Sequence, residues 1–324
     1  MYRIDAHIHF NANTPQSLAV LNQCDIKVLN ICVAEDAHGK WRWQADQWAA
    51  RTRENPKRFA WITSFDLPRF EDPHYVEAVR ENLRKDFQNG AIGVKIWKNV
   101  GMEIKKPSGE WLLVDDPIFT PIVEEFERAD KTLLMHIAEP LGCWLPLDSA
   151  NPHYGYYKDN PQWHMYNKPE FASHAQLMES RDRLVARHPK VRMVGAHYGS
   201  LEYDVVEMAR RFEKYPNFAV DTGGRLHDTL IQDSKKVRQF FIDFQDRIMY
   251  GTDYVDTKDQ RQAHPETVAK NYPYFRLLAD QWWSYFSGSG TVKIDDREVQ
   301  ALNLPAAVLE KIYYKNAQHW YPGV

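Results

Sequence analysis

The sequence predicts a single (β/α)8 barrel over residues 1–324. Three observations carry this: a length of 324 residues, eight short apolar runs, and an amphipathic helical stretch after most of them. One barrel domain routinely exceeds 250 residues. The runs are "YRIDAHIHF" (2–10), "KVLNICV" (27–33), "RFAWITSF" (58–65), "AIGVKIW" (91–97), "TLLMHIAE" (132–139), "VRMVGAHY" (191–198), "FAVDTG" (218–223) and "RIMYGTDY" (247–254). They are apolar on both faces, as parallel strands must be when a core lies on one side and helices on the other. Parallel strands need crossovers, and right-handed β-α repeats close naturally at eight.

The helices between the runs carry their own signals. "DDPIFTPIVEEFERADK" offers Asp116 as cap and Pro117 at the first helical position, with Ile118, Ile122 and Phe126 forming one stripe. "SLEYDVVEMARRF" offers Ser200 as cap and places Leu201, Val205, Met208 and Phe212 on one side. "DSKKVRQFFIDF" groups Val237, Phe241 and Phe244. Two connections are too long for plain turns: 140–181 after strand five, and 255–304 after strand eight. Both leave the C-terminal ends of strands, where barrels keep their chemistry. The first is rich in aromatic residues, including Trp144, and reads as a pocket-shaping lid. In the second, "SGSG" reads as a flexible turn, and "RLLADQWWSYF" has enough apolar surface for contact with a second copy.

Hydrophobic residues make up 44% of the chain, which supports a core without disulfides or a structural metal, and the net charge is −3. That charge lacks the basic face a nucleic-acid binder needs and is too balanced for an anionic membrane. No apolar run reaches membrane-span length. Cys24, Cys32 and Cys143 form no disulfide framework, so a reducing compartment is expected. With no leader ahead of the first strand, the expected location is the cytoplasm.

The chemistry begins with "RIDAHIHF". Alternate residues of a strand face one way, so Asp5, His7 and His9 share a face. Two neutral imidazoles can hold one divalent cation, although two hydrogen-bonded core histidines would read the same. The remaining metal-competent side chains fall at other strand ends: His136 on five, His197 on six, Asp253 on eight. Lys95 ends strand four and requires a charge partner, a substrate anion, or carboxylation between two metals. Arg225, in "DTGGRLHD", can grip a carboxylate with its planar fork, or pair with Asp221. Trp144 is the ring expected against the substrate.

H-x-H on strand one, Lys on four, His on five and six and Asp on eight together resemble the amidohydrolase superfamily. "NPKRFAWI", "RHPKVRMVGAHYGS", "YPNFAVDTGG" and "KIYYKNAQ" resemble its amidohydrolase-related branch, which holds aminocarboxymuconate-semialdehyde decarboxylase, aromatic-acid decarboxylases and lactonases. The likeness spans almost the whole chain outside the two insertions. It implies one divalent ion, zinc first and manganese second, at His7, His9, His136 and Asp253, with His197 beside it as an acid–base residue. A second ion with a carboxylated Lys95 is the pattern of the binuclear branch, and some lactonases of this branch use no metal.

The chemistry expected is hydrolysis of an ester, lactone or amide of a small carboxylate or sugar-like molecule. Asp253 takes the proton of an activated water and passes it to the leaving group, and His197 polarises the carbonyl. The alternative is metal-dependent decarboxylation of an aromatic or unsaturated acid. A phosphoesterase or nuclease would need a carboxylate on strand three, and "RFAWITSF" offers none before Asp66. A ligand-binding barrel without catalysis is a further reading.

Overall fold

The computed structural model describes residues 1–12, 14–35, 38–256, 266 and 269–324. Eight strands follow in order: β1 (Arg3–Ile8), β2 (Ile26–Ile31), β3 (Phe59–Ile62), β4 (Gly93–Ile96), β5 (Thr132–Met135), β6 (Met193–Gly195), β7 (Phe218–Asp221) and β8 (Ile248–Met249). They pair in sequence order as two sheets, β1 to β3 and β4 to β8, and every pairing is parallel.

Backbone hydrogen bonds join the sheets at both seams. Between β3 and β4, Ile92 N–H donates to Trp61 O (3.0 Å), Thr63 N–H to Gly93 O (2.9 Å) and Lys95 N–H to Thr63 O (2.8 Å). Between β8 and β1, Ala6 N–H donates to Tyr250 O (2.9 Å), Asp253 N–H to His7 O (2.7 Å) and His9 N–H to Tyr254 O (2.9 Å). The ring therefore closes, and none of the eight strands in it is left with an open row of donors and acceptors. This is the barrel that the alternating pattern predicts.

Inside the ring, Ile4, Leu29, Ile31, Ile62, Leu134, Val194 and Met249 form a core with the C-terminal Trp320 and Tyr321. Trp320 sits by the N-terminal ends of the strands, where Thr132 Oγ1 donates to its carbonyl and its own Nε1 donates to Asp246 O (2.9 Å). The C-terminus thus plugs the mouth opposite the strand ends that carry the polar site. Trp320→Ala should cost about 3–5 kcal/mol. A lower urea midpoint at unchanged m-value is the expected reading.

Three expectations about local structure are corrected. Asp116 caps as predicted, accepting from Ile118 N–H (3.0 Å), but a 3-10 turn (Pro117–Phe119) precedes the α-helix Thr120–Arg128. Pro121 has no N–H to give to the carbonyl four residues back, so the α-ladder restarts there. Ser200 caps nothing; Asp204 does, accepting from Val206 N–H (2.8 Å) ahead of the helix Val205–Lys214. Ser200 instead has φ 58° and donates to Ala138 O (2.7 Å). The connection after β5 ends earlier than 181, because Ser173 caps a helix running over His174–Arg187.

In the second connection, residues 257–265 and 267–268 lie outside the described residues. Beyond them come a helix (Tyr272–Ser287) and an antiparallel hairpin, β9 (Thr291–Ile294) and β10 (Arg297–Gln300). The hairpin was not expected. In "RLLADQWWSYF", Ala279, Trp282, Tyr285 and Phe286 are buried within the chain, and Leu277 is exposed. Among the described residues, no helix is long and apolar enough to cross a membrane, and all three cysteines are free thiols.

Candidate active site

The C-terminal strand ends surround a cavity of about 390 Å³. His9, Lys95, Trp97, Lys98, His136, Glu139, His153, Tyr156, His197, Arg225 and Asp253 are among its lining residues. Of the residues singled out from sequence, His7 lies just beneath, with its Nε2 3.4 Å from Asp253 Oδ1. Trp144 is not at the cavity. Its Nε1 donates to Ala172 O (3.1 Å) and its ring packs edge-on against His174, so it braces the insertion from within. Trp97 and Tyr156 supply the aromatic surface expected of Trp144.

His7 is oriented by a residue that sequence reading used only as a foil for Arg225. Asp221, the last residue of β7, lies with Oδ2 2.8 Å from His7 Nδ1. Its Oδ1 accepts from His197 N–H (3.0 Å) and Gly223 N–H (2.9 Å). With all these donors upon it, Asp221 acts as an acceptor hub and not as a cation ligand. It fixes the Nδ1–H tautomer of His7 and leaves the Nε2 lone pair pointing at Asp253. The signal for Asp221 in the sequence was only its place at a strand end.

His7 Nε2, His9 Nε2 and Asp253 Oδ1 converge: Asp253 Oδ1 is 3.4 Å from the first and 3.7 Å from the second, and one donor atom of each residue lies within 4.8 Å of the others. His136, expected as the fourth member, is outside that group. It packs edge-on against His197 with ring centroids 4.4 Å apart and lines the same cavity. Burial holds His7, His9, His136 and His197 well below the usual imidazole range, and the Lys95 ammonium adds to it. Neutral imidazoles are what a metal requires.

The donor set fits a divalent cation on a further observation. His7 Nε2 is buried without a hydrogen-bond partner, and its lone pair faces a carboxylate oxygen. Two acceptors at that separation repel unless positive charge lies between them. Asp5, which shares the strand face of His7 and His9, stays out of the group: it accepts from Thr252 Oγ1 (2.6 Å) and Thr252 N–H (3.0 Å), pinning the end of β8 to β1.

Both residues picked out for proton transfer have left-handed backbones, His197 at φ 57° and Asp253 at φ 57°. Such conformations cost of order 1–3 kcal/mol and concentrate at functional sites. The turn at His197 ends β6, and the turn at Asp253 interrupts the run read as strand eight. Gly251 allows that interruption: a Cβ there would stand 2.9 Å from His7 Cβ.

The role expected of His197 changes. Its Nδ1 lies 2.7 Å from Gly223 O, and a carbonyl only accepts, so Nδ1 carries the proton. Nε2 is then a lone pair and cannot polarise a carbonyl by donation. Desolvation raises Asp253 to about 6, opposed by Lys95 and Arg225. Lys95 is lowered to about 8 by burial, with the Asp253 and Asp221 charges opposing.

Arg225 is not paired with Asp221. Its NH1 donates to Gly224 O (3.0 Å), and its Nε is buried without a partner. Lys98 and Glu139, neither foreseen, form a buried ion pair on the wall, with the ammonium 3.8 Å from the Trp163 ring centroid and Tyr157 O–H donating to the carboxylate (3.1 Å).

Asp221→Asn should weaken divalent-metal affinity about 10–100-fold. An amide can turn its N–H₂ toward His7 and favour the other tautomer. Titration with Mn²⁺ checks it, and unchanged affinity would remove Asp221 from this role.

The family model described as amidohydrolase matches residues 4–323. No curated protein matches the chain. Among solved structures, the fold resembles a dihydroxybenzoic acid decarboxylase from Polaromonas sp. JS666 with bound manganese and the inhibitor 2-nitroresorcinol (TM-score 0.58, 16% identity, 99% of this chain and 96% of that one). It also resembles 2,6-dihydroxybenzoate decarboxylase from Rhizobium (TM-score 0.57, 17% identity, 99% and 98%). A third likeness is to 4-oxalomesaconate hydratase from Rhodopseudomonas palustris (TM-score 0.54, 12% identity, 99% and 96%). At such identities the likeness is one of fold.

Proposed function

The chain belongs to the amidohydrolase family, an enzyme family, and from that premise we propose that it is a metal-dependent hydrolase of an ester, lactone or amide of a small carboxylate. The observation that carries this reading is the pairing of His197 Nδ1 with Gly223 O (2.7 Å). It leaves Nε2 of that ring as a proton acceptor, in the same cavity as the Asp253 carboxylate. Groups that accept protons serve the activation of water.

His7, His9 and Asp253 would hold the ion, with zinc favoured and manganese second. A divalent ion bound there would supply Lewis acidity, lowering the pKa of a water to about 7. Asp253 takes the proton of the attacking water and delivers it to the leaving group. Lys95, kept as an ammonium, offsets negative charge that develops on the carbonyl oxygen. Arg225, on the cavity wall, binds the substrate carboxylate through its guanidinium, and Trp97 and Tyr156 flank the organic part.

A second reading is decarboxylation. It is favoured by the cations Lys95, Lys98 and Arg225 around one cavity, which suit a substrate whose reacting group is itself a carboxylate. The decarboxylases among the fold's neighbours are consistent with it. The deciding experiment incubates Zn²⁺- or Mn²⁺-loaded protein with carboxylate-bearing lactones and esters, and separately with hydroxybenzoates. Acid release from the first set is expected. Carbon dioxide from the second set, with no hydrolysis of the first, would overturn the hydrolase reading in favour of decarboxylation.

A further inference from the structure

Three loops meet beside the cavity and bring together ionisable groups that the chemistry above does not use. His153 comes from the connection after β5. Glu202 follows β6. Asp228 lies in the short helix Leu226–Leu230 after β7. His153 Nε2 is 2.9 Å from Asp228 Oδ1, and one donor atom of each of the three residues lies within 4.8 Å of the others.

Glu202 is 1% exposed and Asp228 4%. Glu202 Oε1 accepts from Leu141 N–H (3.3 Å), but Oε2 is buried and has no partner. Gln232 does not supply one, because its amide donates to the backbone carbonyls of Glu202 (2.7 Å) and Asp228 (2.9 Å). Those bonds hold the two loops in register and bring the carboxylates side by side.

Two buried carboxylates this close repel each other, and an orphaned carboxylate oxygen adds a desolvation cost. The burial of Glu202 and the charge of Asp228 push its carboxyl upward. The His153 imidazole on the same point completes a nitrogen–oxygen–oxygen donor set. That set matches zinc or manganese in ligand type, and a divalent charge balances the two carboxylates.

We propose that His153, Glu202 and Asp228 form a second divalent-cation site, which clamps the connection after β5 to the loops after β6 and β7. It shares no ligand with the His7, His9 and Asp253 group. His153 lines the cavity, so the clamp fixes one wall of the substrate site without taking part in the reaction.

The test is metal content of the full-length chain after equilibrium dialysis against Mn²⁺ or Zn²⁺ alone. The wild type should hold about two ions per chain, and Glu202→Gln and His153→Ala about one each. The pair His7→Ala/His9→Ala should lose the other ion and keep this one. Limited proteolysis gives an independent reading: the ion should protect the 140–173 connection in the wild type and not in His153→Ala. Should Glu202→Gln fail to fold, His153→Ala decides, since its loop imidazole is partly exposed. Metal content and proteolysis that neither variant changes would overturn the proposal, whatever the outcome at the other site.

Discussion

Asp253→Asn should lower kcat/KM by about 10²- to 10⁴-fold, the range of a lost general acid–base group, while the barrel stays folded. Folding should persist because the Asp253 side chain makes no hydrogen bond that the barrel depends on; the seam bond belongs to its backbone, Asp253 N–H to His7 O (2.7 Å). Asparagine tolerates the left-handed φ of 57° better than alanine does. The amide keeps one oxygen near His7 Nε2 but cannot accept a proton from water. With Asp253 near 6 before any ion is bound, and a cation lowering it further, the wild-type rate should decline toward acid with an apparent pKa at or below that value. The acid limb should vanish in the variant. Circular dichroism, metal content and the pH–rate profile together check this, and undiminished kcat/KM would remove Asp253 from proton transfer.

The barrel was legible in the sequence because parallel strands buried on both faces leave continuous apolar runs, and each helix between them carries a stripe. Val205, Met208 and Phe212 are buried as their spacing required. What failed were features without a period. Strand eight read as 247–254 but is regular only over Ile248–Met249, since the left-handed turn at Asp253 is set by contact with β1. The hairpin β9–β10 escaped because its residues are largely exposed and too few to reveal a face.

The site divides along the same line. His7 and His9 were found by strand alternation, a rule of backbone geometry. His197 and Asp253 were found by position, but the tautomer of His197 depends on the Gly223 carbonyl, which only the folded loop brings near. Trp144 was misplaced because composition says nothing about where a loop side chain points. Lys98 and Glu139 are 41 residues apart, and no local pattern links them.

His7→Ala/His9→Ala should abolish both the ion at the strand ends and turnover. The pair also separates binding from folding. In wild-type protein stripped by chelator, His7 Nε2 faces the Asp253 oxygen at 3.4 Å with no other partner, a contact that costs free energy until a cation enters. Adding Mn²⁺ at 100 times its dissociation constant should then stabilise the wild type by about 2.7 kcal/mol through this site. The double variant lacks two of the three donors and should lose that increment, leaving only what the His153 group supplies. Asp221 keeps its bonds from His197 N–H and Gly223 N–H, so the loop beneath should survive the loss of the His7 ring. Thermal melts with and without Mn²⁺ therefore read the site without any substrate. An identical metal-induced shift in wild type and variant would mean that the paired imidazoles of β1 bind no cation, and the hydrolytic chemistry built on them would fall with it.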